Sequence, residues 1–467
     1  MRRSLVLLLV SLCCLTLVPV APADAASVRL GAYRRSGFVL YDGAGLLSVG
    51  TVTPRVDTGL HDRSGVRMFR IGGRIYDQPV QQAQYGLANV STYQITHDPF
   101  YLSRATAQAE RLVARRVVSD GAWFFPYRYD FPLHRSADVQ RAPWYSAMAQ
   151  GLAVAFFCRL YAATHVTAWQ TYASNAFAAF VHGPSTVAPW VSRVDRAGYL
   201  WLEEFPRLPP AASDHTYNGF MFALMGIYEY WQTTRSTTAA AIFDGGVTTV
   251  RAMFPLFRQP GWISHYCLAH PAVLSVGYHG AHESLLLRLY SATHNSQLAA
   301  DADLLRSDYP PAATGTVRFA AGRHAGYQFS STGVLLASRT LTLTRSSTAP
   351  ASARQRIRGR GIYYRISAGG LSGYWVLEQR PARYLAGIVV RHDYRPPRTA
   401  SLAAGTYLGN RLDAGGAVLG VVRASFASAT SAHVSSSAWV NGYPYALLAE
   451  GSLAGTWVPM TSAVVLR

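Results

Sequence analysis

The chain has 467 residues, half of them hydrophobic and 12% aromatic, which indicates a folded protein and excludes a disordered one. At roughly 150 residues per domain, this length predicts two or three domains. The net charge is +19, because 43 basic residues, all of them arginine, outnumber 24 acidic ones. Arginine binds carboxylate and sulfate groups through its planar fork, so we expect a polyanionic partner. The sequence lacks a zinc finger, a basic helix or an RNA-binding motif, which argues against nucleic acid.

The first 25 residues have the three parts of a secretory signal peptide. Two arginines follow Met1, an apolar run extends to Val20, and Ala23-Asp24-Ala25 fits the small-x-small cleavage rule. No later segment reaches about 18 uninterrupted apolar residues, so we expect no integral membrane segment. The sequence therefore predicts a secreted, extracellular protein that is cleaved after Ala25.

Two cysteines, Cys158 and Cys267, remain after the signal peptide is removed. An exported protein can form a disulfide between them, but Cys158 also lies in an apolar run that suits a core position. Both alternatives stay open. Neither cysteine has the spacing of a metal-ligand motif, so the sequence predicts no metal site.

The rest of the chain predicts a multidomain α+β fold. Residues 26–75 form a small β-rich segment, with a strand at 38–41 and a turn at 42–45. From 76 to 309, apolar periodicity predicts helices in antiparallel hairpins, and from them an α/α toroid with a cleft at one end. The predicted helices are 102–115, 144–164, 168–181, 218–233, 238–251, 278–293 and 296–305.

The remaining region repeats itself. Residues 320–327 align with 403–410, and Gly373-Tyr374-Trp375-Val376 aligns with Gly455-Thr456-Trp457-Val458 at nearly the same offset. This pattern predicts two β-sandwich-like modules, 310–398 and 399–467. Their aromatic and arginine side chains either bind glycan at the surface or form a β-core, and the sequence leaves both open.

Paired carboxylates stand out at Glu203 and Glu204, since acidic residues are scarce in this chain. They lie between aromatic residues and proline in the stretch 199–206. Apolar neighbours raise the pKa of a carboxyl group, which suits a proton-transfer residue near neutral pH. The alternative is a solvated helix edge on which both glutamates face water.

Several motifs together resemble the D-glucuronyl C5-epimerases, which convert glucuronate to iduronate within heparan-type chains. The resemblance runs from about residue 76 to 305 and implies an α/α-toroid catalytic domain and a reaction without a cofactor. Its motifs, in chain order, are Tyr76-Asp77-Gln78-Pro79, Gln84-Tyr85-Gly86-Leu87, Gly121-Ala122-Trp123, the run 144–151 (WYSAMAQG), Trp201-Leu202-Glu203-Glu204-Phe205-Pro206 and Tyr217-Asn218-Gly219-Phe220-Met221.

The resemblance also implies roles for individual residues. Glu204 is the expected base on one face of the uronate ring, and Tyr278, together with Tyr266, the expected acid on the other. Two family positions differ here: Phe205 replaces a tyrosine and Ala269 an arginine. The substrate-binding residues that we expect are Glu203, Asn218, His279, His282, Gln84, Tyr85, Tyr145, Gln150 and Arg128, with Arg207 or His270 as further substitutes for the missing arginine.

Two other functions stay open at this stage. A uronate polysaccharide lyase begins with the same removal of the C5 proton. A non-catalytic protein that binds acidic glycans on an epimerase-like scaffold is the alternative outside enzymes. In each case the expected partner is a uronate-containing polysaccharide, and the resemblance favours a homodimer.

Overall fold

The computed structural model describes residues 27–42, 52–134, 138–208 and 213–467. The predicted signal peptide lies outside these residues. The described residues form eight α-helices, two short 3₁₀ helices, four small two-stranded hairpins and two large sheets. The helices are α1 Pro79–Thr96, α2 Pro99–Arg115, α3 Ala147–Thr164, α4 Thr167–Phe177, α5 Tyr217–Thr234, α6 Thr237–Phe257, α7 Val276–Thr293 and α8 Ser296–Asp308, and the 3₁₀ helices are Ala178–Val181 and Gly451–Leu453.

The N-terminal segment contains less β-structure than the sequence predicted. In its described part, residues 27–42 are extended without a regular strand, and one hairpin begins near the end of the segment. The strands of this hairpin are β1 Met68–Ile71 and β2 Arg74–Asp77. Three more hairpins lie between helices. Their strand pairs are β3 Val117–Ser119 with β4 Ala122–Phe124, β5 Phe131–Pro132 with β6 Val139–Gln140, and β7 Ser192–Val194 with β8 Leu200–Leu202.

The helices pair as hairpins, α1 with α2, α3 with α4, α5 with α6 and α7 with α8. Each hairpin turns through two residues, and the first of them has a left-handed φ between 55° and 57°. The threonine before that residue accepts a hydrogen bond from the second turn residue at 3.3 Å in every one of these hairpins. The same left-handed residue and the same threonine hydrogen bond therefore reverse the chain in all four hairpins. The turns are Thr96-His97-Asp98, Thr164-His165-Val166, Thr234-Arg235-Ser236 and Thr293-His294-Asn295.

The first helix of each hairpin packs against the next first helix, in the order α1, α3, α5 and α7. Close packing of α3 on α5 depends on glycine, since a Cβ atom on Gly226 would lie 1.9 Å from the carbonyl oxygen of Gly151. Helix α3 is long and apolar enough to cross a membrane by composition, but 78% of it is buried in the protein, as in a core helix. The closed α/α toroid stays a prediction.

The C-terminal half consists of two sheets with the same topology. Both are antiparallel, seven-stranded and fully within the described residues. The strands of the first are β9 Gly315–Phe319, β10 Gly322–Phe329, β11 Leu335–Leu343, β12 Ser347–Ile357, β13 Gly361–Ile366, β14 Trp375–Leu377 and β15 Arg383–Leu385, and of the second β16 Ile388–Leu402, β17 Gly405–Leu412, β18 Val418–Phe426, β19 Thr430–Val440, β20 Tyr443–Leu448, β21 Trp457–Pro459 and β22 Val464–Leu466.

The strand orders are β11-β10-β14-β13-β12-β9-β15 and β18-β17-β21-β20-β19-β16-β22, so each strand corresponds to the one seven places later. The aligned sequence repeats are thus two copies of one module. The division between them lies between 385 and 388 rather than at 398, because β16 continues through that position. Each copy is one hydrogen-bonded sheet, and the second packs its core residues Tyr394, Ala400 and Leu402 into the helical core.

Candidate active site

A cavity of about 650 Å³ opens at the end of the helical region where α1, α3, α5 and α7 begin. Residues at or next to the N-terminus of each of these helices line it, so four positive helix ends point toward one cavity. This arrangement favours an anionic ligand. The lining residues are Gln78, Val80, Gln81, Gln84, Tyr127, Tyr129, Phe131, Leu133, His134, Trp144, Ser146, Met148, Glu204, Phe205, Asn218, Phe222, Tyr266, Val273, Ser275, Gly277, Tyr278 and Ala281.

Glu204 follows strand β8 and reaches the cavity wall beside the first turn of α5. Gly219 makes room for it, because a Cβ atom there would lie 2.1 Å from Glu204 Oε2. Burial raises the pKa of Glu204 to about 8, although a hydrogen bond from Tyr266 opposes the rise. A carboxyl group in this state can accept and return a proton near neutral pH.

Tyr266 and Tyr278 both line the cavity and are in contact with each other. The Tyr266 hydroxyl donates to Glu204 Oε2 at 3.4 Å, and the two tyrosine rings stack with their centroids 4.5 Å apart. Tyr266 is buried, whereas Tyr278 is 43% exposed. Burial raises the pKa of both phenols, so each stays protonated and can act as an acid. Tyr278 is therefore the phenol more accessible to a bound ligand.

Two of the predicted substrate-binding residues also line the cavity. Gln84 is exposed on α1, and Asn218 is 3% exposed at the start of α5. Asn218 Oδ1 has no hydrogen-bond partner among the described residues. An unpaired buried amide oxygen is costly, so this atom is suited to receive a hydrogen bond from a ligand.

Four other predicted residues do not line the cavity, which contradicts their predicted contact with substrate. Glu203 is 1% exposed and lies 2.9 Å from His215 Nδ1, while Gln150 is fully buried and bonds to backbone groups. His279 and His282 are buried around Ser264. Burial lowers the pKa of His282 to about 3, so this side chain is a neutral core group.

The last three predicted residues also lie outside the wall of this cavity. Tyr85 is buried beneath Arg67, whose guanidinium carbon is 4.7 Å from the ring centroid. Tyr145 packs edge-on against Phe124, and Arg128 is exposed next to the cavity rather than in its wall. The replacement for the family arginine at Ala269 is thus not Arg128. Arg207 is taken by ion pairs with Asp138 and Asp214.

Phe205 contributes to an apolar wall. Its ring lies 6.4 Å from Phe131 and 5.7 Å from Trp144, and Tyr127 stacks on Trp144 at 3.8 Å. Phenylalanine has no hydroxyl group, so Phe205 cannot transfer a proton and contributes only packing. The groups at the cavity that can transfer a proton are Glu204, the tyrosines and His134.

Sequence reasoning missed several polar residues of the cavity, among them Tyr127 and Tyr129. They alternate with Arg128 in an extended segment, and side chains two residues apart share one side of such a segment. This alternation places the two tyrosines on one side and Arg128 on the other. It could have predicted from the sequence that the tyrosines, and not Arg128, face the cavity. The lining residue His134 belongs to a second group beside the cavity, with Asp214, Cys267 and His270, that has the donor atoms of a metal site.

A family model supports the resemblance. Residues 119–304 match the family model described as D-glucuronyl C5-epimerase C-terminus. Among solved structures, similarity extends to a Listeria innocua protein at 14% identity, covering 50% of this chain and 62% of that one with a TM-score of 0.37. An unsaturated glucuronyl hydrolase from Streptococcus agalactiae gives 13% identity, 49% and 56% coverage and a TM-score of 0.32. Cellobiose 2-epimerase from Spirochaeta thermophila gives 14% identity, covering 48% of this chain and 57% of that one, with a TM-score of 0.33.

The similar region spans less than two thirds of the length of each of these solved proteins. The family match, by contrast, includes Glu204, Tyr266 and Tyr278 and therefore contains the described site. The segment 119–304, less than half of the chain, is thus similar to the D-glucuronyl C5-epimerase C-terminal family.

Proposed function

We propose that this protein is an isomerase that inverts C5 of uronate residues in an extracellular acidic polysaccharide. The observation that carries the proposal is Glu204, a carboxyl group with a pKa of about 8, hydrogen-bonded to Tyr266 in the wall of an open cavity. The family match supports an epimerase-type enzyme acting on polysaccharide. The uronate, the position C5 and export of the protein are part of the proposal.

The chemistry begins at the hydrogen on C5, which is acidic because C5 is bonded to the carboxylate carbon. Ionised Glu204 takes this proton, and the electron pair of the broken bond moves into the carboxylate as an enolate-like dianion. Inversion requires the sugar ring to bind between Glu204 and Tyr278, so that Tyr278 gives a proton to C5 from the face opposite Glu204. Tyr266 holds Glu204 in position through its hydrogen bond. No oxidant or reductant enters this sequence.

Stabilisation of the dianion needs hydrogen-bond donors and positive potential around the uronate carboxylate. The helix N-termini supply both, since backbone N–H groups in a first helical turn are free to bind an anion. Among the described cavity residues no arginine is present, so amide side chains take the place of a guanidinium. Candidates are Gln78, Gln81, Gln84 and Asn218.

A polymer needs more room than one sugar. A second cavity of about 430 Å³ lies on Trp144, which also lines the first cavity. Arg141, Tyr145 and Trp190 line this second cavity, and aromatic faces of this kind can stack on sugar rings. The predicted role of Tyr145 in binding substrate therefore stays part of the proposal, at a neighbouring sugar. A net charge of +19 favours the approach of an anionic chain.

The direct test is exchange of the C5 proton with solvent. The protein is incubated in deuterated water with heparosan and other uronate polymers, and the H5 signal is followed by NMR. We expect loss of H5 signal, abolished in Glu204→Gln and unchanged in the matched control Glu450→Gln, an exposed glutamate of the second sheet module.

Other outcomes of the same experiment would redirect the proposal. Release of an unsaturated sugar that absorbs in the ultraviolet would show a lyase. Absence of exchange on every polymer, with retained binding, would show a glycan-binding protein. Export is tested separately, since N-terminal sequencing of protein from the culture medium is expected to begin at Ala26. Sedimentation of the same material checks the proposed homodimer.

A further inference from the structure

Four side chains from three separate segments meet next to the active-site cavity. His134 follows β5, Asp214 precedes α5, and Cys267 and His270 lie in the connection between α6 and α7. Their ligand atoms all lie within 4.8 Å of one another. We call these residues the four-residue cluster. Cys267 and His270 are three residues apart, but His134 and Asp214 are distant from them in the sequence, so no spacing motif revealed the whole cluster.

Four of the six distances between the ligand atoms are close to those of tetrahedral coordination, and the other two are at most 4.8 Å. His134 Nε2 lies 3.2 Å from Asp214 Oδ2 and 3.8 Å from Cys267 Sγ. His270 Nδ1 lies 3.5 Å from Cys267 Sγ and 3.6 Å from Asp214 Oδ2. Zinc bonded at usual lengths to nitrogen, oxygen and sulfur separates neighbouring ligands by about 3.3–3.6 Å in a tetrahedron. A single ion at the centre therefore reaches all of them.

We infer that the four-residue cluster binds one zinc ion as a structural site. A thiolate, two imidazoles and a carboxylate make up a donor set that zinc prefers. One thiolate and one carboxylate balance its charge, and four protein ligands leave no open position for a substrate. Cys267 and Asp214 are both fully buried, so the thiol cannot reach a substrate as a nucleophile.

The surroundings of the cluster supply a second observation. His270 uses Nδ1 toward the cluster, and its other ring nitrogen, Nε2, lies 3.1 Å from Asp138 Oδ2. A carboxylate on the far nitrogen of a ligating histidine fixes the ring orientation and strengthens it as a ligand. Arg207 pairs with Asp138 in turn and holds it in place. Both ring nitrogens of His270 thus have the partners that a zinc site requires.

The proposed zinc connects the segments that carry the active site. Tyr266 directly precedes Cys267, and the backbone N–H of Leu268 donates to the carbonyl oxygen of Asp214 at 3.1 Å. The His134 ring lies edge-on to Tyr266 at 5.5 Å. Bound zinc therefore fixes Tyr266, which is a positioning effect on the proposed function, whereas zinc binding itself does not depend on that function.

The test measures metal rather than activity. The full chain without an affinity tag is dialysed against zinc sulfate and then against buffer, and its zinc content is determined by mass spectrometry. We expect one zinc per chain, and a cobalt-substituted sample should show a thiolate-to-cobalt charge-transfer band. Cys267→Ser should remove that band, whereas Cys158→Ser, which changes the other buried cysteine, should leave it intact.

A second variant tests the inference in case Cys267→Ser does not fold. Asp138→Asn leaves all four ligands in place and should weaken zinc affinity roughly 10–100-fold by loosening His270. The exposed variant His433→Ala should have no effect on zinc content. The inference is overturned if the wild-type chain retains no zinc, if Cys267→Ser retains as much zinc as wild type, or if Asp138→Asn binds zinc with unchanged affinity.

Discussion

Glu204 and Gly219 occupy complementary positions, because the glutamate carboxyl fills the space that a side chain at residue 219 would need. A Cβ atom on Gly219 would lie 2.1 Å from Oε2 and 2.7 Å from Cδ of Glu204. The glycine of the Asn218-Gly219-Phe220 motif is therefore part of the site. It lets a helix N-terminus and a buried carboxyl group share one wall of the cavity.

Gly219→Ala should lower C5 proton exchange at least tenfold, since the new methyl group must displace the Glu204 carboxyl group. The variant should remain folded, because alanine favours a helix over glycine by about 1 kcal/mol and the displaced side chain borders an open cavity. NMR exchange rates and urea unfolding measure the two effects. Gly280→Ala on α7 is the matched control, with nothing within 4 Å of the new Cβ atom. Equal exchange rates in both variants would contradict the assigned role of Glu204.

The pH dependence of exchange should follow ionisation of Glu204. Only the ionised carboxylate can accept a proton, so the rate should rise with pH and level off above about 8. The hydrogen bond from Tyr266 lowers this pKa, so Tyr266→Phe should move the rise to higher pH. Rate profiles in deuterated buffers measure the midpoint. Complete loss of exchange in Tyr266→Phe at every pH would instead make Tyr266 the proton donor.

Much of the helical region was predictable from local pattern. The expected helices correspond to α2 through α8, with ends that differ by a few residues. Helix α1 was missed, because its buried face includes the polar residues Gln82, Asn89 and Thr92 and its apolar period is therefore weak. The recurring threonine before each hairpin turn was an additional signal for where α1 ends.

The site was only partly predictable, since side-chain direction depends on packing. His279 and His282 are three residues apart on α7. Tyr278 and Ala281 have the same spacing, but each lies one residue earlier in the helix. One residue rotates a helix face by about 100°. Tyr278 and Ala281 consequently face the cavity, and the histidines face Ser264 and the core. Only the neighbouring elements determine which pair is inside.

Gly226→Ala should destabilise the protein by about 1–3 kcal/mol, the usual cost of overpacking. Its Cβ atom would lie 1.9 Å from the carbonyl oxygen of Gly151, a backbone atom that cannot move aside without shifting α3. Helix propensity alone predicts the opposite sign, as for Gly280→Ala. Urea unfolding of the two variants separates the effects. A Gly226→Ala protein as stable as wild type would show that α3 and α5 do not pack this closely.

Asp303 should anchor the second sheet module to the helices. It accepts hydrogen bonds from Arg398 at 2.6 Å, His392 at 2.9 Å and Tyr394 at 2.8 Å. Burial alone raises the pKa of Asp303, but His392 and the charges of Arg306 and Arg398 lower it overall. Its contribution to stability is therefore present above the usual aspartate pKa and is lost as the pH falls through the lowered value.

Asp303→Asn should lower the free energy of unfolding by about 2–3 kcal/mol at neutral pH, since it leaves the buried Arg398 without its charged partner. Urea unfolding at pH 7 measures the loss, and the difference from wild type should shrink in acid as Asp303 of the wild type becomes protonated. Glu450→Gln, which breaks an exposed contact with His433, should cost less than about 1 kcal/mol. If the two variants lose equal stability, Asp303 does not hold the module in place.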